Sequence, residues 1–232
     1  MNDWFEWNGV RCTTLGIHVS EQPEITLPKE RVTFTDVPGR SGSLTTLEGE
    51  NVYDDMTLTA TCFIESTANI NAVAAFLRGS GTVTFANRQG GYYNARIVNQ
   101  ISFEKILRGN AACSFAVNFR CKPFFYFTPV ADISVTTQQQ FLTNPGCIPS
   151  EPMITVIGSG DITLMIGQQI IDLTDVEDHI ILDSELQEAY YGSTAMNEKL
   201  EGDFPLLQPG VSAFSWEGSV TDITVKPRWR TL

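Results

Sequence analysis

The side chains able to do chemistry are few, and their spacing assembles no known catalytic constellation. There are two histidines, His18 and His179. His179 follows Asp178, and an imidazole beside a carboxylate could serve as a general base if a nucleophile or second ligand stood nearby. The sequence signals neither. His18 lies between Ile17 and Val19 in a strand-like stretch and reads as a packed or surface ring. Asp172, Asp175, Glu177, Asp178, Asp183, Glu185 and Glu188 form a dense acidic run. Paired carboxylates can hydrolyse a glycoside or hold calcium. This spacing fits no calcium loop, and the run reads as solvated turns between strands. Gly158-Ser159-Gly160 precedes a strand rather than a helix, so it cannot cradle phosphate in the usual way. No nucleophile elbow, zinc-protease helix or Walker loop is present. Cys12, Cys62, Cys113, Cys121 and Cys147 are odd in number and include no CxxC pair. Cys62, Cys113 and Cys121 fall in strand-like segments, where a thiol acts as a small hydrophobe. The expectation is a protein without enzymatic activity, catalytic residue, cofactor or metal. Lack of a disulfide or zinc framework points to synthesis in a reducing cytoplasm.

The elements around these residues are mostly strands. In Ser114 to Phe127, SFAVNFRCKPFFYF, Phe115, Val117, Phe119 and Cys121 alternate with Ser114, Ala116, Asn118, Arg120 and Lys122. Period two with one apolar face predicts a half-buried strand, which Pro123 ends or confines to an edge. Asn8-Gly9 is a hairpin-turn dipeptide, so Met1 to Ile17 reads as a hairpin, with Trp4, Phe5 and Trp7 as packing or interface anchors. Phe124 and Phe125 are candidates of the same kind. Arg31 to Asp36 and Asn51 to Ile64 alternate, and Met56, Leu58, Ala60 and Cys62 share a face. Between them lies Val37-Pro38-Gly39-Arg40-Ser41-Gly42. It reads either as a plain hairpin tip or as a protruding arm whose Arg40 meets a neighbouring subunit. Ile70, Val73, Ala74 and Leu77 predict one short helix, with Ser66 or Thr67 at its start and Gly79 at its end. A strand with Val83 and Phe85 inward follows, then turns at Gly90-Gly91 and Arg108-Gly109-Asn110. Beyond Pro129, short strands over Met153 to Ile157, Asp161 to Ile166, Gln169 to Leu173 and Ile180 to Asp183 are divided by glycines and acids. Tyr190-Tyr191, Val211 to Glu217 and Thr221 to Val225 complete a second antiparallel sandwich.

The 232 residues suffice for one large domain or two small ones. No apolar run approaches the ~20 residues of a membrane span, so no membrane insertion is expected. The acidic, aromatic N-terminus does not resemble a secretory signal. Net charge is −12. Residues 1–126 hold 11 Lys/Arg against 12 Asp/Glu, while residues 127–232 hold 4 against 15. The second part, at −11, repels nucleic acid and anionic membrane. The first, at −1, suits close packing against protein neighbours.

Taken in order, a set of turn and packing motifs resembles the distal tail proteins of siphophages, a phage tail-component family. They are Trp7-Asn8-Gly9, Gly16-Ile17, Val37-Pro38-Gly39-Arg40-Ser41-Gly42, Leu77-Arg78-Gly79, Tyr92-Tyr93 and Phe119 with Cys121-Lys122-Pro123-Phe124. Asn144-Pro145-Gly146, Glu151-Pro152, Phe204-Pro205-Leu206-Leu207, Pro209-Gly210 and Pro227-Arg228-Trp229-Arg230 continue the likeness. The resemblance implies a mainly β fold of two antiparallel β-sandwich domains. The first, residues 1–130, would be tail-tube-like, with one helix and a long hairpin, and would form the ring. The second, residues 131–232, would be galectin-like. It further implies a homo-hexameric ring in the virion, at the tail tip, adapting the tail-tube protein to tail-tip or baseplate components and a receptor-binding protein. On this likeness Val37 to Gly42 lie at the hairpin tip. The alternative is a carbohydrate-binding attachment module acting through the second sandwich, with Tyr190, Tyr191, Trp216 and Trp229 as stacking candidates.

Overall fold

The computed structural model describes residues 3–105 and 112–232 and divides the chain into two compact units. The first is Met1–Phe125 with Leu232, and the second is Tyr126–Thr231. The expected turn at Arg108-Gly109-Asn110 lies outside the described residues.

In the first unit, β1 (Phe5–Trp7) and β2 (Val10–Arg11) form the hairpin that Asn8-Gly9 encodes. Both turn residues have positive φ, 51° and 77°, as a type I′ turn requires. Phe5 and Trp7 point into the core and Glu6 outward, while Trp4, half-buried, packs against that core. β3 (Ile17–Glu21) does not return onto β1. It pairs with β6, because its apolar face, Ile17 and Val19, belongs opposite Ile64 and Cys62. β4 (Val32–Thr35) and β5 (Leu44–Leu47) make a separate two-stranded sheet. β6 (Met56–Ile64) alternates buried and partly exposed residues along its whole length. α1 (Ile70–Phe76) is the one α-helix among the described residues. It buries Val73, while Ala74 is exposed and Phe76 instead stacks on Phe5 at 6.1 Å. β7 (Ser80–Phe85) turns through Ala86-Asn87 into β8 (Arg88–Ile97). Gly90-Gly91 is therefore not the turn: Gly90, at φ 88°, sits inside β8 where the register shifts. β9 (Glu104–Lys105) pairs with β10 (Cys113–Phe127), which continues through Pro123. The register of β10 with β6 ends at Cys121↔Met56, two residues earlier, so no bond of that ladder needs the missing proline N–H. The sheet order is β2-β1-β7-β8-β10-β6-β3. The Val19 amide donates to the Asp3 carbonyl at 2.8 Å, bringing the last strand back to the chain entering β1. This curl encloses a core of Phe5, Trp7, Phe85 and Phe119 among aliphatic side chains.

The second unit contains β11 (Ile133–Val135), β12 (Gln140–Asn144), β13 (Met153–Ile166), β14 (Gln169–Val176) and β15 (His179–Asp183). Then come β16 (Glu188–Tyr191), β17 (Thr194–Ala195), β18 (Leu200–Glu201), β19 (Gly210–Lys226) and β20 (Arg230–Thr231). β13 and β19 are single strands of 14 and 17 residues, where the sequence suggested two short strands each. They pair with each other over residues 153–159 of β13 and again over 163–166, and the register shifts between Ile157 and Thr163. Gly158 and Gly218 make that bend: a Cβ on either would stand 2.3 Å from a backbone carbonyl, of Ser219 and Asp161 respectively. Before the bend β13 pairs with β15, and after it with β14. β19 likewise pairs with β12 through one half and β11 through the other. Two long strands thus bend to supply both layers, and Ile154, Val156, Ile162, Leu164, Phe214 and Ile223 meet in one core. At the end of the chain the Phe127 amide donates to the Trp229 carbonyl at 3.0 Å. The result is a mainly β, antiparallel architecture.

Candidate functional site

The residues from β4 to β5 form an arm. Val32 faces Leu47 and Phe34 faces Thr45, so Val32, Phe34 and Leu47 share one side of the ribbon. Phe34 is 66% and Leu47 54% exposed. At the tip the Arg40 amide donates to the Val37 carbonyl at 3.1 Å. Pro38 and Gly39 are the central residues of that turn, and Gly39 has φ 80°, the geometry of a type II turn. Val37, Pro38, Gly39, Arg40, Ser41 and Gly42 are all exposed. The base of the arm is held firmly. The Arg31 amide donates to the Val52 carbonyl, the Glu48 amide to the Arg31 carbonyl, and the Arg31 guanidinium to Asp54 at 2.9 Å. Tyr53 pairs with Glu30 and meets the edge of Phe124 at 5.9 Å. A two-stranded ribbon is marginal alone in water, and this one shows its apolar side to solvent. Phe34, Leu44 and Leu47 belong to the site and were not singled out from sequence. The alternation of Arg31 to Asp36 looks like a core strand, and only the exposure of Phe34, Leu44 and Leu47 reveals that no core of the described residues covers it.

The aromatic anchors take different places, and Phe5 is fully buried. Trp7 and Phe125 are buried, against Phe119 at 5.6 Å and Tyr93 at 5.2 Å. The Arg88 guanidinium lies 4.3 Å over Phe125, hydrogen-bonds Tyr93, and donates to the Leu232 carbonyl at 2.7 Å. Trp4 is half-buried under the Arg11 guanidinium at 4.3 Å, and Phe124 is also half-buried.

The acidic run is dispersed rather than paired. Asp172 accepts from Thr163 at 2.6 Å, and Asp178 meets His179 at 2.8 Å. Asp183 is held by both guanidinium nitrogens of Arg228, at 2.6 and 2.8 Å, and by the amides of Glu185 and Leu186. These bonds, the Arg228 pair first, hold its carboxyl below the usual range. His18 bonds Asp3 at 3.1 Å and stacks on Phe63. Cys12, Cys62, Cys113 and Cys121 are buried and form no disulfide, and burial pushes Cys62 and Cys121 up to about 12. Such thiols are poor nucleophiles at neutral pH. Of the stacking candidates, Trp229 is buried, Tyr190 and Trp216 are half-buried, and Tyr191 is exposed, packed on His179 at 4.5 Å.

No protein-family model matches the chain, and no curated protein matches it. Among solved structures it is similar to SPP1 Dit (gp 19.1), described as a paradigm of the hub adsorption apparatus in phages that infect Gram-positive hosts. The TM-score is 0.77 at 13% sequence identity, over 96% of this chain and 98% of that one. The fold is that of SPP1 Dit. At this identity the likeness speaks for the path of the backbone through both units, and not for individual side chains. No helix among the described residues is long and apolar enough to cross a membrane.

Proposed function

We propose that the chain is a structural virion protein that forms a hexameric ring at the distal end of a phage tail. In this role it joins the tail tube to the tail-tip or baseplate proteins that recognise the host. The observation that carries the reading is the β4–β5 arm: a rigidly based ribbon whose apolar side, Phe34 and Leu47, has no core beneath it. An element of this kind is stabilised by packing on another subunit. The backbone likeness to SPP1 Dit over nearly the whole chain supports the setting. A closed ring needs two different patches per subunit, one received by the next copy. The near-neutral first unit can supply both without strong repulsion between copies.

Replacing Arg40 by Glu, and separately Phe34 by Ser, tests the arm. Sedimentation should show a smaller species for each variant, with the β-sheet circular dichroism of the parent retained because neither side chain supports a core. Unaltered assembly in both variants would remove the arm from the interface.

A further inference from the structure

The outer face of one layer in the second unit carries two distinct rows. β12, β19, β13, β14 and β18 lie side by side there. Phe141 and Val211 are 68% and 65% exposed, and Ile170 is 62% exposed. Half-buried Met165 pairs directly with Ile170 on one side and with Ser215 on the other, and the Phe141–Ala213 pair lies one step further along the ladder, level with Gly167. These side chains all point away from the core, because Leu142, Ile166, Ile171 and Phe214 occupy the inward positions. One step along the strands from Met165 and Ile170, about 7 Å away on the side opposite Phe141 and Val211, the register lines up Glu217, Thr163, Asp172 and Glu201. Three carboxylates therefore border an apolar patch, and neither Lys nor Arg occurs in β12, β13, β14, β18 or the half of β19 that joins this layer, residues 210–217.

We propose that this face docks a protein segment whose apolar side chains are flanked by lysine or arginine. Apolar rows supply burial, and the carboxylate row supplies complementary charge and fixes the orientation. Long basic side chains lay their methylene stems along the patch while their charges reach the acids. Two copies of the face oppose each other poorly, because their carboxylate rows repel, and an anionic lipid surface is repelled for the same reason. The inference goes beyond ring formation and does not rest on it. The patch lies wholly in the second unit, and its test reads binding rather than assembly.

The probe is a fluorescein-labelled peptide alternating Val and Phe with Ser and ending in three lysines, titrated into the full chain by anisotropy. Two control peptides replace the lysines by glutamates or the apolar residues by Ser. The lysine peptide should bind, more weakly as salt rises, and neither control should. Phe141→Thr with Ile170→Thr and Val211→Thr should weaken binding by roughly tenfold. Asp172→Asn with Glu201→Gln and Glu217→Gln should do the same and flatten the salt dependence. This second set leaves the apolar residues in place, so it decides the matter should the first set unfold. Equal binding of the glutamate peptide, or unchanged affinity in the carboxylate variant, overturns the proposal. So does loss of self-association in the threonine variant, which would make a second copy the occupant. Competition by purified cell-wall polysaccharide for the same face would likewise overturn it.

Discussion

Phe119 holds the centre of the first unit. It is fully buried, and its ring meets Phe5 at 5.2 Å, Trp7 at 5.6 Å and Phe85 at 5.5 Å. Phe119→Ala removes contacts to three rings at once and should cost about 3–5 kcal/mol, read from the urea midpoint. Asp183 is the corresponding residue of the second unit, 2% exposed and clamped by Arg228. Its carboxyl is depressed in the folded chain, so it contributes stability that is fully present above the unfolded value, near ~3.9. That contribution is lost as pH falls through the lower folded value. Urea midpoints should therefore drop below about pH 4, and Asp183→Asn should flatten this acid limb. An acid limb as steep in the variant as in the parent would exclude Asp183 as its source. At this scale the sequence was most legible where chemistry agreed with period: Phe115, Val117, Phe119 and Cys121 all point inward as their alternation indicates. The bidentate Asp183–Arg228 pair was not legible. Its members are 45 residues apart, and the acid looked like one of many in a turn-rich stretch.

Among the elements, the bent strands β13 and β19 set the architecture of the second unit. Their glycines were read as breaks between strands, because glycine marks a turn and a bulge equally well. The ladder resolves the ambiguity. Ser159 pairs with Ser219 across the bend, so the chain continues as one strand on either side. Gly218 has φ 96°, and a Cβ there would stand 2.3 Å from the Asp161 carbonyl. Gly218→Val should accordingly destabilise the second unit by roughly 2 kcal/mol or more, through steric overlap and strained backbone together. A melting temperature equal to the parent's would show that the bend tolerates a side chain. The first unit shows the same limit in another form. The strand pattern of Ile17 and Val19 was visible, but its partner, Cys62 to Ile64, is some 45 residues away along the chain, and periodicity carries no pairing information.

For the whole molecule, charge and topology point to one division of labour. Residues 127–232 carry −11, and copies of such a surface packed around an axis repel within the ~8 Å over which salt screens poorly. Residues 1–126 carry −1, and they include the arm with its exposed Phe34 and Leu47. In the proposed ring, closure therefore falls to the first unit, and the carboxylates of the second take no part in it. The mainly β class was readable because period-two stretches and turn dipeptides recur along the chain. The exposure of the arm's apolar side was not, since alternation alone does not say whether a core lies beneath a strand. The central claim is tested most directly by the native mass of the intact 25.7 kDa chain at tens of micromolar, taken by mass spectrometry. A single closed species of six chains is the predicted result, and a mass of one chain at every concentration would contradict it.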